Sequence, residues 1–344
     1  MKKDIREISQ KELNKFFAEN NLESFREKQL NEWIWRKGST SFNEMTSFSK
    51  DLRGLLANNF EFKSVKVDQE FKSCDGSIKF SFKLFDNKLI EGVLIPSKKR
   101  VTACISSQVG CSLDCSFCAT GKLGLSRNLS SSEMFDQVFM LNNESKKNYG
   151  KQITNIVFMG MGEPLLNYKN LLKAMNHITS EKGMGVSPRR ITVSTAGLSK
   201  QIIKLADDNV RFNLAISLHS AVDEVRSNIM AINNSINLVS LKDAVRYFYE
   251  KTKSRITYEY ILFKGINDCV DSAKKLSDFC KISPCKVNLI EYNTVEGLNF
   301  EKSTNESTQI FIDFLKNKNI IVNLRRSKGK DIDAACGQLM NKLK

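Results

Sequence analysis

Cys111-Ser-Leu-Asp-Cys115-Ser-Phe-Cys118 is the stretch on which the reading of this chain turns. Its C-x3-C-x2-C spacing puts three thiols in one short loop. Cysteine thiolates are the usual ligands of iron–sulfur clusters. A four-iron, four-sulfur cluster takes four ligands, so three protein thiolates leave one iron open to another molecule. That open corner turns an electron carrier into a candidate reaction site. A zinc site, or three incidental cysteines, is the competing reading. Structural zinc usually takes four protein ligands, commonly in two C-x2-4-C pairs, and the chain holds no second C-x2-C pair.

Outward from the triplet, short apolar runs alternate with helical patterns. The expected strands are 102–106, 153–159, 190–195, 212–217, 256–262, 286–292 and 320–324. The expected helices are 131–147, 168–181, 200–208, 238–253, 271–280 and 304–316. Repeated βα units imply a parallel sheet with right-handed crossovers. Six units fit a partial TIM-like (βα)6 barrel better than a closed eight-fold one. The triplet then follows the first barrel strand, at the end where parallel barrels carry their active sites. The fold class is α/β, with a small N-terminal helical accessory domain.

In that front piece Ser9 is expected to cap a helix over 10–19. Ser24 is expected to cap a second helix through Arg36, stopped by Gly38. A third starts at Ser47 or Ser49 and ends near Asn58. Leu30, Trp33 and Ile34 are expected to face a small core. Phe80, Phe82 and Leu84 alternate with polar residues, the pattern of a half-buried strand. Asp75-Gly76 is a hairpin signal, and 89–95 reads as another strand. The expected division is 1–62 a helical accessory piece, 63–96 a strand and hairpin region, 97–325 the barrel, and 326–344 a basic tail that turns helical.

At 344 residues and 41% hydrophobic, the chain can bury a full core. Lys+Arg outnumber Asp+Glu 53 to 38, a net charge of +15 that favours a polyanionic partner, most often nucleic acid. The bland alternative is a lysine-rich solvated surface. Nine cysteines, an odd and clustered set, argue against a secreted disulfide scaffold. The N-terminus lacks the apolar core of a signal peptide, and no apolar run reaches the roughly 18 residues of a membrane span. A cytoplasmic protein is expected.

The second βα turn reads Met159-Gly160-Met161-Gly162-Glu163-Pro164. Two glycines permit close approach of a ligand to the backbone, and Glu163 can accept hydrogen bonds from an ammonium group. With the triplet one strand earlier, this pair of motifs resembles the radical S-adenosylmethionine (SAM) superfamily. The resemblance implies a [4Fe-4S] cluster whose fourth iron binds the amino and carboxylate groups of SAM. It also implies electron-driven cleavage of the sulfonium.

The stretches from Val101 to Cys111, Phe158 to Pro164, Ser217-Leu-His219 and Asp331-Ile-Asp-Ala-Ala-Cys336-Gly-Gln-Leu339 narrow the match. Together with Gln29-Leu-Asn-Glu-Trp-Ile-Trp35 they resemble the dual-specificity RNA adenine-C2 methyltransferases along nearly the whole chain. This resemblance implies methylation of one adenine of 23S rRNA near the peptidyl transferase centre, before full ribosome assembly. It also implies methylation of the adenine 3′ of the anticodon in tRNAs. Cys336 would receive a methyl group from one SAM, while a second SAM at the cluster initiates radical chemistry. Cys104 would resolve the adduct by forming a disulfide with Cys336. Glu91 would accept the proton. Gly162, Glu163, Ser194, Ser217, Leu218, His219 and Asn293 would contact SAM, and Cys111, Cys115 and Cys118 would hold the cluster. The implied partners are the two RNAs and an electron donor such as flavodoxin or ferredoxin, with no membrane and a monomeric chain.

The target suits this chemistry. Adenine C2 is electron-poor and does not attack an electrophilic methyl group, whereas a carbon radical can add there. Other readings stand beside these roles. A cysteine on an apolar strand, as Cys104 is, is otherwise a small buried hydrophobe. Glu91 would simply pair with a lysine, and His219 would be a core histidine. Ser194 could serve turn chemistry alone. Lys98-Lys99-Arg100, Lys122 with Arg127, Arg189-Arg190 and 325–330 are candidate phosphate contacts. The nearest rival function is C8 methylation of an rRNA adenine by the antibiotic-resistance relatives. A rival of another class is an RNA-binding redox protein without turnover.

Overall fold

The computed structural model describes residues 2–340. The chain begins with β1 (Lys3–Asp4), α1 (Gln10–Glu19), α2 (Ser24–Asn31), α3 (Lys50–Asn59) and β2 (Phe60–Glu61), where β1 pairs in parallel with β2. Ser9 caps α1 through a reciprocal capping box with Glu12. Ser24 is the first residue of α2, and Glu23 stands at the cap position. Ser49, not Ser47, caps α3. A π-helical turn at Glu32–Arg36 follows α2. Its wider step moves the buried face on by one residue. Leu30, Ile34 and Trp35 are buried, while Trp33 stays half exposed and donates from Nε1 to Ser47 Oγ at 2.8 Å.

The next strands, β3 (Lys66–Lys72), β4 (Ile78–Lys83) and β5 (Leu89–Pro96), run antiparallel. Residues 63–96 are part of the main sheet, because β5 pairs with β6 (Val101–Ile105), the first barrel strand. After β6 come β7 (Gln108–Gly110), α4 (Ala119–Lys122) and β8 (Leu125–Asn128), a short hairpin that frames the cysteine loop. The βα rhythm continues through α5 (Ser131–Tyr149), β9 (Asn155–Phe158), α6 (Tyr168–Thr179), β10 (Ile191–Thr195), α7 (Ser199–Asp207) and β11 (Asn213–Ser217). It ends with α8 (Asp223–Ile229), α9 (Leu238–Thr252), β12 (Ile256–Leu262), α10 (Val270–Cys280), β13 (Cys285–Glu291), α11 (Asn305–Asn317) and β14 (Ile321–Arg325). The ten-stranded sheet has the order β14-β13-β12-β11-β10-β9-β6-β5-β4-β3, parallel from β6 to β14. It is an open barrel of six βα units, with β14 as its last strand and the antiparallel β5–β3 wing at the other edge.

Two further expectations change. The β4 strand is not half-buried: Ile78 through Phe82 are all buried, because the C-terminal segment lies against its polar face. That segment is not helical over 326–340, apart from a 3-10 turn at Lys330–Ile332. Left-handed residues at Gly329, Asp333 and Gly337 break any helix, and residues 341–344 lie outside the described residues. The β3–β4 turn straps the segment down. Ser73 Oγ and the Cys74 N–H donate to the Asp331 carboxylate (2.6 and 3.0 Å), and the Gly329 N–H donates to Asp75 Oδ2 (2.8 Å).

The N-terminal piece joins the barrel through a paired junction. Arg6 bonds Asp4 and, on α5, Asp136, with every partner buried. Trp35 stacks on His177 of α6, centroids 3.6 Å apart. Among the described residues no helix is long and apolar enough to cross a membrane.

Candidate active site at the mouth of the barrel

The ends of the barrel strands surround one cavity of about 530 Å³, within the usual range for small-molecule and cofactor sites. Cys111, Cys115 and Cys118 line it together with Cys104, Cys336, Gly162, Glu163, Ser194, Ser217 and His219. The triplet loop is held on three sides. The Cys111 N–H donates to Gly124 O at 3.0 Å, the Ser116 N–H to Ile229 O at 3.0 Å, and the Ala119 N–H to Gly337 O at 2.8 Å. Gly110, at φ +76, permits the first of these contacts, since a Cβ there would stand 1.8 Å from Gly124 O.

The donor set fits a cluster. Burial, then the neighbouring Cys118, pushes the Cys111 thiol up to about 11, and burial raises Cys115 as well. Thiols raised in this way bind as thiolates only when a metal supplies the compensating positive charge. No three His, Cys, Asp or Glu side chains among the described residues are grouped to share a single ion. A cluster takes each thiolate on its own iron, so its donors need not converge as zinc ligands must.

The two glycines of the second turn serve the chain itself. A Cβ on Gly160 would meet Ile105 O at 2.7 Å, and one on Gly162 (φ +95) would meet the Gln108 side chain at 2.4 Å. The close approach expected for a ligand is made by the cysteine loop's own base, because the β9 exit packs directly on it. The Glu163 carboxylate accepts from the Leu165 N–H (3.0 Å) and the Ala196 N–H (2.8 Å), and burial pushes it up to about 7. Ser194 and Ser217 place their hydroxyls 3.3 Å apart. His219 Nδ1 accepts from the Ile261 N–H at 3.1 Å, which assigns the ring proton to Nε2, and burial pushes its pKa down to about 3. The imidazole is therefore a neutral donor.

Three expected residues stand off the cavity wall. Leu218 is wholly buried, and its N–H donates to Glu259 O. Asn293 Nδ2 donates to Cys336 O at 3.3 Å and so holds the backbone that carries Cys336. Glu91 pairs with Lys79 Nζ at 3.2 Å and accepts the Met340 N–H at 3.0 Å, clasping the C-terminal segment. Cys104 and Cys336 are both free thiols, so the structure holds no disulfide between them. They are electrostatic neighbours at the cavity, and burial pushes Cys104 up to about 12.

Sequence reasoning missed Glu259, Arg226 and Gln108. Glu259 sits in register between Ser217 and Asn288. Its Oε1 accepts from Asn288 Nδ2 at 2.8 Å, while Oε2 has no partner among the described residues. An acid in the apolar run Ile256–Leu262 was the available signal. Arg226, in a short polar helix, carried none.

An open barrel of six βα units, with a three-cysteine loop after its first strand and a Gly-x-Gly-Glu turn after its second, defines a radical SAM enzyme. The Radical SAM superfamily model matches residues 105–276, and the "Ribosomal RNA large subunit methyltransferase N-terminal domain" model matches residues 3–62. The chain is 53% identical to the "Probable dual-specificity RNA methyltransferase RlmN" of Christiangramia forsetii, over 99% of this chain and 97% of the relative. It is 44% identical to the "Dual-specificity RNA methyltransferase RlmN" of Campylobacter jejuni over 93% of each. The crystal structure of a radical SAM methyltransferase from Sphaerobacter thermophilus, 36% identical, superposes with a TM-score of 0.92 over 98% of this chain and 99% of the other. This protein belongs to the dual-specificity RNA methyltransferase RlmN family. Its cofactors are a [4Fe-4S] cluster and SAM.

Proposed function

We propose that this protein methylates C2 of one adenine in 23S rRNA near the peptidyl transferase centre and of the adenine 3′ of the anticodon in tRNAs. Two SAM molecules are used per turnover, and the methyl group travels on Cys336. The observation that carries this reading is that Cys104 and Cys336, more than 200 residues apart in sequence, line the same cavity as the Cys111, Cys115 and Cys118 loop. A radical SAM enzyme acting on small molecules needs the triplet but not that second pair. Arg100, Arg325, Arg326 and Lys328 rim the cavity where an RNA backbone would pass.

In this mechanism Cys336 Sγ takes the methyl group of a first SAM and becomes a thioether. Cys111, Cys115 and Cys118 would hold the cluster, which when bound supplies the electron that splits the second SAM. Glu163, Ser194, Ser217 and the Nε2–H of His219 would orient that SAM, while Asn293 fixes the backbone of Cys336. One hydrogen atom of the methyl group on Cys336 would leave with the adenosyl fragment of the second SAM, the remaining CH2 carbon joins adenine C2, and the odd electron of the adduct would pass to an acceptor such as the oxidised cluster. Glu91 takes the proton from C2, for which the segment around Met340 must first move off its carboxylate. Cys104, as a thiolate, then attacks Cys336 Sγ; the S–CH2 bond breaks, the freed carbon takes up a proton to become the methyl group of the base, and the disulfide that closes is reopened by a cellular reductant. A paired or stacked adenine must be extruded to reach the cavity.

Flavodoxin or ferredoxin would be the electron donor, and the cytoplasm the compartment. Anaerobic reconstitution with iron and sulfide, followed by SAM and rRNA or tRNA fragments, tests the assignment. Mass spectrometry of the nucleosides should show 2-methyladenosine. 8-Methyladenosine would move the protein to the rival C8 chemistry, and unmodified RNA with intact SAM would refute the enzyme reading.

A further inference from the structure

Arg226 heads the fully buried side chains of the molecule, at 1% exposure. Its guanidinium donates to Leu218 O (Nε, 3.1 Å), Asn233 Oδ1 (2.7 Å), Ala196 O (2.5 Å) and Ser217 O (3.4 Å), all neutral acceptors. Among the described residues Arg226 makes no ion pair, in contrast to Arg6 with its two carboxylates. The neighbouring acid, Asp223, is one side chain away: Asn233 Nδ2 donates to Asp223 Oδ1 at 3.0 Å, and that oxygen also accepts the Leu238 N–H. The Cys115 thiol and the Arg226 cation also act on each other electrostatically. The helix that carries it, α8, ends at Ile229, whose carbonyl accepts both the N–H and the hydroxyl of Ser116.

A buried cation without a counterion is costly, and proteins pair such charges or use them at a site. Three thiolates outweigh the positive charge of an oxidised four-iron core, and uptake of an electron adds a further negative charge. Net charge and hydrogen bonding around a cluster set its reduction potential.

We propose that Arg226 is a positioning residue of the iron–sulfur site, whose fixed cation balances the thiolate-bound cluster while its carbonyl bonds hold the β10 and β11 exits that frame the SAM site. Removing the charge makes the cluster harder to reduce. Removing the fork of carbonyl bonds loosens the Ala196 and Ser217 backbones, and through the Ala196 N–H it loosens Glu163 as well.

The inference rests on the cofactor reading, and the test separates the two. Wild type, Arg226→Gln and Arg226→Lys are reconstituted without air. Iron content, the cluster midpoint in a dithionite titration followed by electron paramagnetic resonance, and SAM affinity by equilibrium dialysis are then measured. The midpoint should fall in Arg226→Gln and stay near wild type in Arg226→Lys, and SAM should bind roughly 10–100-fold more weakly to both. If Arg226→Gln takes up no iron while Arg226→Lys loads fully, the charge role is also supported. A wild-type midpoint in fully loaded Arg226→Gln, or an equal fall in both variants, overturns it. So does loss of the cluster from both variants while circular dichroism shows them folded. Iron-free wild type would instead remove the cofactor reading itself.

Discussion

The junction between the N-terminal helices and the barrel and the mouth of the barrel are both buried and polar, yet they are finished differently. At the junction the buried charges of Arg6, Asp4 and Asp136 meet their partners inside the protein. Arg6 is shared by Asp4 and Asp136, and the Glu7 carboxylate accepts the N–H of Ser132 and the hydroxyl of Ser131 at the start of α5. At the mouth, among the described residues, the chain leaves groups open: Arg226 without a carboxylate, Glu259 Oε2 and Asn293 Oδ1 without partners, and the Cys111 and Cys115 thiols raised by burial. A buried polar group left open costs stability, and a site that must take up charged ligands leaves such groups for them. The junction is built to stay shut, and the mouth is completed by what it binds.

The largest effect should come at the mouth. Cys336→Ala should abolish methyl transfer to RNA while keeping iron content and SAM binding, as measured by nucleoside mass spectrometry and iron assay. Full activity would refute the covalent carrier. Next, Cys104→Ala should stall after bond formation and accumulate protein crosslinked to RNA, seen as a shifted band on a denaturing gel. Release of RNA at the wild-type rate would count against the resolving role. The junction should respond in stability instead of chemistry. Arg6→Met strands two buried carboxylates and should cost about 3–5 kcal/mol of unfolding free energy in denaturant titrations. A loss under about 1 kcal/mol would show that the pairing there is not what closes the junction.

The smallest effect is a pH response. His177, stacked on Trp35, is pushed by burial from the ordinary 6.5 down to about 4, against a weaker upward pull from Glu7 and with Lys173 adding to the lowering. The folded form therefore binds fewer protons than the unfolded one. Its contribution is intact above about pH 6.5 and is lost as the pH falls toward 4. Tryptophan fluorescence of the holoenzyme during denaturation should show the junction loosening between neutral pH and about pH 5.5. In His177→Phe, which keeps an aromatic ring there, that slope should flatten. An unchanged slope would assign the pH response to another group.

Much of the barrel was legible in the chain because each βα unit is local: an apolar run of strand length, a turn, then a helix with one apolar stripe. The 256–262 strand was read to the residue, and others to within two residues at each end. The capping box at Ser9 was equally local. The π-helical turn was not, since Trp35 turns inward only because His177 and Phe135 of the barrel are there to receive it. Nor was the burial of both faces of β4, which depends on a segment some 250 residues further along the chain. Among site residues, the cysteines announced themselves by spacing. Glu91 turned out to clasp the C-terminal segment through Lys79 and the Met340 N–H. Spacing carries no sign of such a contact.

By itself, the sequence determined the class of chemistry. Three thiols at fixed spacing after a strand, a Gly-x-Gly-Glu turn one strand later and a basic balance are short-range or compositional features that survive without a fold. Only the tertiary structure decided which polar groups remain open. It brought Cys104 and Cys336 to one cavity, set Glu259 beside Asn288, and enclosed Arg226 among carbonyls with no ion pair among the described residues. Whether a charge is satisfied depends on neighbours from distant parts of the chain, and burial makes that pairing matter because the interior screens charge so weakly.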